Sequence, residues 1–90
     1  MAIQPRIKTN TTVPVGTSST QLLDATPTRT QAVIRNRGSV SIFVGFSGPA
    51  TSDGYELLPD EELSVSTEEA VSAIAASGTA SVKVLEEVRS

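Results

Sequence analysis

The chain contains no cysteine, no histidine and no tryptophan, and its only aromatic residues are Phe43, Phe46 and Tyr55. Without Cys there is neither a disulfide framework nor a thiolate metal site. A zinc centre is left without its usual ligands, and imidazole-based acid–base or nucleophile activation is left without its base. No apolar run approaches the roughly 20 residues that span a bilayer as a helix, and the opening MAIQPRIKTN lacks the apolar core of a secretory signal. Nothing in it marks the chain for export, and the missing cysteines agree with synthesis in a reducing compartment.

What is present favours strands. Thr and Ser together make up about a quarter of the 90 residues, which suits sheets with one solvated face and turns closed by hydroxyl groups. A domain of this size buries only about 60–65 per cent of the surface its unfolded chain exposes. With no disulfide or metal to add stability, packing against partners is the remaining means, and oligomerisation is expected.

The densest alternation lies in Gln31–Phe46, QAVIRNRGSVSIFVGF. Ala32 and Ile34 share one face of a first strand; Val40, Ile42, Val44 and Phe46 share one face of a second. Asn36-Arg37-Gly38-Ser39 between them predicts a tight hairpin turn, with Asn and Gly at positive φ. Phe46 is assigned to packing with Ile34, Ile42 and Val44, and Arg35 and Arg37 to the solvated face and the turn.

Residues 1–12 read as an extended N-terminal arm, or alternatively as a frayed terminus, and residues 13–90 as a single domain. Removal of residues 1–12 is expected to leave that domain folded. Val13-Pro14-Val15-Gly16 opens it, followed by strands near 19–23, 31–35, 40–46, 55–58 and 63–66, with an exposed loop over residues 47–54. Ser66-Thr67-Glu68-Glu69 fits a capping box, and Val71, Ile74 and Ala75 fall at helical spacing, while Val71, Ala73 and Ala75 also alternate. One helical turn at 67–70, then a strand at 71–77, a hairpin turn at Gly78 and a long strand at 79–88 are expected. The fold class is therefore all-β, a small antiparallel β-sandwich or barrel of about seven to eight strands.

Charge is divided along the chain. Residues 1–50 carry Arg6, Lys8, Arg29, Arg35 and Arg37 against Asp24 alone, a net +4; residues 51–90 carry Lys83 and Arg89 against nine acids, a net −7. This is either an accident of a small surface or complementarity between neighbouring copies. Nucleic acid is disfavoured as a partner, because the bases are few and no aromatic is interleaved with them.

Few groupings suggest chemistry. Asp60, Glu61 and Glu62, with Asp53 and Glu56 upstream, offer carboxylate oxygens but match no calcium-loop spacing, and a solvated acidic turn is the simpler reading. Glycoside hydrolysis would need two acids across a cleft, and the chain has no stacking platform to build one. The glycines form no phosphate-loop motif, and Asn10-Thr11-Thr12 matches the glycosylation sequon by chance. The expectation is a chain that is not an enzyme and has no cofactor or metal.

Taken together, VPVG at 13–16, Leu22-Leu23 before a turn with Pro27, the 31–46 stretch, GYELLPDEELSV at 54–65 and AVSAIAASGTASVKVLEE at 70–87 resemble small all-β structural proteins of tailed-bacteriophage virions. The resemblance spans residues 13–87 and is one of layout. It implies a capsid decoration, cement or head-fibre-base role at the capsid surface of a virion, after synthesis in the host cytoplasm; the alternatives are a tail or host-adhesion module that binds a surface glycan through the 47–54 loop and Tyr55, and a non-viral oligomeric β-module. The implied partners are the major capsid protein and further copies of the chain, in a homo-oligomer such as a trimer, with no nucleic acid and no membrane. The candidate capsid or neighbour contacts are Ile3, Arg6, Ile7 and Lys8, with Arg29, Arg35 and Arg37 as a second basic patch and Asp60, Glu61 and Glu62 as an acidic interface.

Overall fold

The computed structural model describes residues 5–89. Eight strands follow one another: β1 (Pro5–Val15), β2 (Thr20–Leu23), β3 (Arg29–Asn36), β4 (Ile42–Phe46), β5 (Tyr55–Leu57), β6 (Glu62–Val65), β7 (Val71–Ala75) and β8 (Ala80–Arg89). They form two antiparallel sheets, ordered β1-β8-β3-β6 and β2-β7-β4-β5. The expected all-β sandwich is what forms. The pairs β1/β8, β2/β7, β3/β6 and β4/β5 are nested one inside the next. That nesting is the strand order of an eight-stranded jelly roll, a long hairpin rolled into two layers.

The rolling corrects the expected hairpin at 31–46. β3 lies in one sheet and β4 in the other, so Arg37–Ser41 is a link between layers. Both arms alternate as anticipated, but alternation records only that each strand has a buried face. Those faces meet in one core, where Ile34, Ile42 and Val44 belong to a single buried cluster. Among the described strands, β4 and β5 alone are consecutive neighbours in one sheet, joined by the loop over 47–54.

Neither Asn36 nor Gly38 has positive φ. Asn36 is fully buried, and its Nδ2 donates to the carbonyls of Val40 (2.8 Å) and Leu57 (3.0 Å) while its Oδ1 accepts from the amide of Gly38 (2.9 Å). One side chain thus holds the link and fastens it to β5. Gly38 is required by closeness, since a Cβ there would stand 2.7 Å from the Cβ of Ala80 on β8. Gly78 does provide a left-handed turn, at φ 60°, between β7 and β8, but it links the two sheets and does not close the expected hairpin.

Two further expectations change. No helix occurs among the described residues, and 67–70 is an irregular link. Thr67 Oγ1 accepts from the Glu69 amide (3.2 Å), as a cap would, but the Thr67 and Glu69 carbonyls are taken by Arg29 and the Glu68 carbonyl by the Thr26 amide. The backbone acceptors of a helical turn are therefore engaged elsewhere. The arm expected over 1–12 is, in its described part, the greater part of β1, paired with β8 from Pro5↔Arg89 onward. Truncation at residue 12 would strip one sheet of most of an edge strand.

The core is aliphatic. Ile34, Ile42, Leu57, Val44, Val82 and Val84 are almost wholly excluded from water, each contributing about 1.5–3 kcal/mol by burial. Ala32, Ala73, Ala75 and Ala80 supply the small positions between them.

Candidate interaction surface

The first polar feature is internal. Arg29 opens β3 on the inner face and is 2% exposed; its Nε donates to Glu86 Oε2 at 2.8 Å, and Glu86 on β8 is equally buried. The rest of the guanidinium donates to backbone carbonyls: Nη1 to Thr67 (2.9 Å) and Glu69 (2.7 Å), Nη2 to Asp24. Glu86 Oε1 also accepts from Thr9 Oγ1 at 3.0 Å. Burial pushes the Glu86 carboxyl up, but the hydrogen bonds from Arg29 and Thr9, then the charges of Arg29 and Lys8, outweigh it and hold the group below the usual carboxylate range. Arg29 thus ties β3, β8, the β2–β3 link and the β6–β7 link at one point. This corrects its expected place in a basic surface patch, because its fork is consumed inside the molecule.

Arg35 and Arg37 are exposed, Arg35 on the outer face of its sheet and Arg37 in the link that follows. Arg35 lies between Lys83 and Glu62 in register and approaches Glu62 Oε1 at 3.9 Å. Asp60 and Glu61 lie in the exposed β5–β6 turn and Glu62, also exposed, opens β6, with Asp60 at φ 70° and Glu61 Oε1 accepting from the Leu58 amide (2.7 Å). The fold therefore sets part of the basic patch beside the acidic run. Among the described residues no group of three or more acids is placed to hold a metal ion.

Arg6, Ile7 and Lys8 are exposed on β1, where a register shift between Ile7 and Thr9 leaves Lys8 as the bulged residue. Arg89 adjoins them on β8. Ile3 lies outside the described residues.

The opposite margin carries an apolar feature of which the sequence reading singled out only Tyr55 and the 47–54 loop. Phe46, expected in the core, is 39% exposed and Tyr55 59%; Leu58, 50% exposed, lies away from them, past the Ile42↔Leu57 pair at the other end of β5. Phe46 does share the inner face with Val44, as alternation requires, but it ends β4 at the rim of the sandwich, where the short β5 and β6 do not cover it. Tyr55 pairs with Val44 and so stands diagonally next to Phe46 on the same face. Phe46, Val65 and Thr67 line a shallow groove with Ser64, Ser66 and Glu69. Its wall is the 66–70 link, held by Arg29 and by the Ser47 amide donating to the Ala70 carbonyl (2.9 Å). Around this apolar margin stand Asp53, Glu56, Glu68 and Glu69, all exposed. The signal available in the sequence was the gathering of every aromatic residue between positions 43 and 55.

Compared with protein-family models and with curated proteins, the chain matches none.

Proposed function

We propose that this chain is a virion structural protein of the capsid decoration or cement kind, which binds an assembled head through the major capsid protein and associates with further copies of itself. The observation that carries this reading is the apolar margin of Phe46 and Tyr55, held in water by the sandwich and framed by acids. Exposed apolar patches with polar rims mark surfaces that meet other macromolecules. The jelly-roll order agrees, since it recurs in viral capsid domains, although lectins and cupins share it and a fold does not by itself select a function. Arg35 and Arg37, exposed at one end of the sandwich, are the assigned contacts to an acidic head surface. Repetition over a lattice makes weak individual contacts sufficient.

The test is a density map of the intact particle. Density for this sandwich at regular head-lattice positions is expected; its confinement to the tail, or its absence from the particle, overturns the reading. A second reading rests on Tyr55, which stands exposed where the 47–54 loop meets β5: a host-adhesion module stacking a glycan on that ring. Glycan-array binding lost in Tyr55→Ala would favour it over the cement role.

A further inference from the structure

Four large apolar side chains stand exposed among the described residues: Ile7, Phe46, Tyr55 and Leu58. The fold sorts them by charge. Ile7 lies between Arg6 and Lys8, with Arg89 on the adjoining strand and Glu87 directly opposite it, a setting of net positive charge, whereas Phe46 and Tyr55 lie among Asp53, Glu56, Glu68 and Glu69. The two places sit at opposite margins, because β1 is one edge strand of its sheet and β6, beside the Phe46 groove, is the other. No single molecule can bring them together.

We propose that the chain associates head to tail with a second copy of itself, the Arg6–Lys8 end of β1 on one molecule seated against the acid-rimmed margin of Phe46, Tyr55 and Val65 on the next. The occupant is a second copy because this chain carries both an apolar residue in a basic setting and an apolar margin in an acidic one. Opposite charge at each rim selects that pairing over basic-to-basic or acidic-to-acidic contacts. A contact between two different patches is heterologous, so it either closes into a ring or propagates.

Side chains make the contact, and a continuous sheet does not. β1 carries the bulge at Lys8 and Pro14 along its free edge, and β6 is four residues long behind Glu61 and Glu62. Bulges, edge prolines, short strands and edge charges all oppose strand addition. The receiving side is pre-shaped, since Arg29 fixes the link that walls the groove. The proposal rests on the self-association in the preceding reading. Its measurement uses the isolated chain, so its failure leaves the head contact standing.

The experiment is native mass spectrometry with sedimentation velocity over a concentration series of the full chain at low salt. One variant reverses the basic end (Arg6→Glu with Lys8→Glu) and another the acidic rim (Glu68→Lys with Glu69→Lys). Oligomers are expected for the unmodified chain and monomers for either variant alone, with self-association weakened at least about tenfold. An equimolar mixture of the two variants is expected to recover mixed assemblies, because each reversed end then meets its complement. Ile7→Ser, at an exposed position, is expected to weaken association with the sheet circular-dichroism signal unchanged, and keeps the test decisive if a reversal variant fails to fold. A chain that stays monomeric throughout overturns the proposal. So does an Ile7→Ser variant that associates like the parent, or a mixture of folded variants that recovers nothing.

Discussion

Arg29 and Glu86, 57 residues apart in the chain, meet at 2.8 Å with almost no exposure to water. Their pairing joins the start of β3 to the end of β8 and, through three backbone carbonyls, holds two inter-sheet links. A buried charge pair of this kind does not of itself imply high stability, but loss of one partner leaves the other charged and unsatisfied.

Arg29→Ala is accordingly expected to cost about 3–5 kcal/mol, read as a lowered urea midpoint. Amide exchange across Thr67–Ala70 should accelerate in the same variant under native conditions, because the link loses the donors that fix it. Arg35→Ala, which removes an exposed pair at 3.9 Å, is expected to change stability by less than about 1 kcal/mol.

Acid should release the same pair. The folded Glu86 carboxyl titrates below its unfolded value, so its stabilisation is complete above the ordinary glutamate range and is lost as pH falls through the folded pKa. The unfolding free energy is expected to fall as pH drops through and below that range. In Glu86→Gln this contribution to the slope should be absent, as measured by denaturant titrations at a series of pH values.

Asn36→Leu should be destabilising despite its apolar replacement. It removes the donor to the Val40 and Leu57 carbonyls and the acceptor for the Gly38 amide, and each buried group left unpaired costs about 1–3 kcal/mol. Thermal unfolding is the check, with an early loss of order in the β3–β4 link expected from amide exchange.

Two glycines should separate cleanly. A Cβ at Gly38 would press on the Cβ and Cα of Ala80 at 2.7 and 2.9 Å, so Gly38→Ala is expected to lose about 1–3 kcal/mol. Gly48, in the 47–54 loop, has nothing within 4 Å of such a carbon, and Gly48→Ala should be near neutral in the same denaturation assay.

Much of the fold was legible in local pattern. Val13–Val15, Tyr55–Leu57, Leu63–Val65 and Ala80–Val88 were recognisable as strands because alternation with period two records a one-sided burial that the backbone geometry imposes. Gly78 announced its turn through a conformation that other residues avoid. The candidate surface was legible only in part: Arg6, Ile7 and Lys8 stood out as a basic, partly apolar stretch, and the aromatics were visibly grouped.

By itself, then, the sequence determined an all-β chain, its strand faces, most of its turns and its uneven charge, all of them properties of residues close together along the backbone. Which strands are neighbours, and which side chains lie at a margin, only the tertiary structure decided. The inner faces of β3 and β4 would look the same whether the strands lay side by side or across a core, and the nested pairing separates them into two sheets. Arg29 became a buried clamp because Glu86 arrives from the far end of the chain. Phe46 became a surface residue because the short β5 and β6 leave that end of the sandwich uncovered. Burial is a property of what stands opposite, and no local spacing records it.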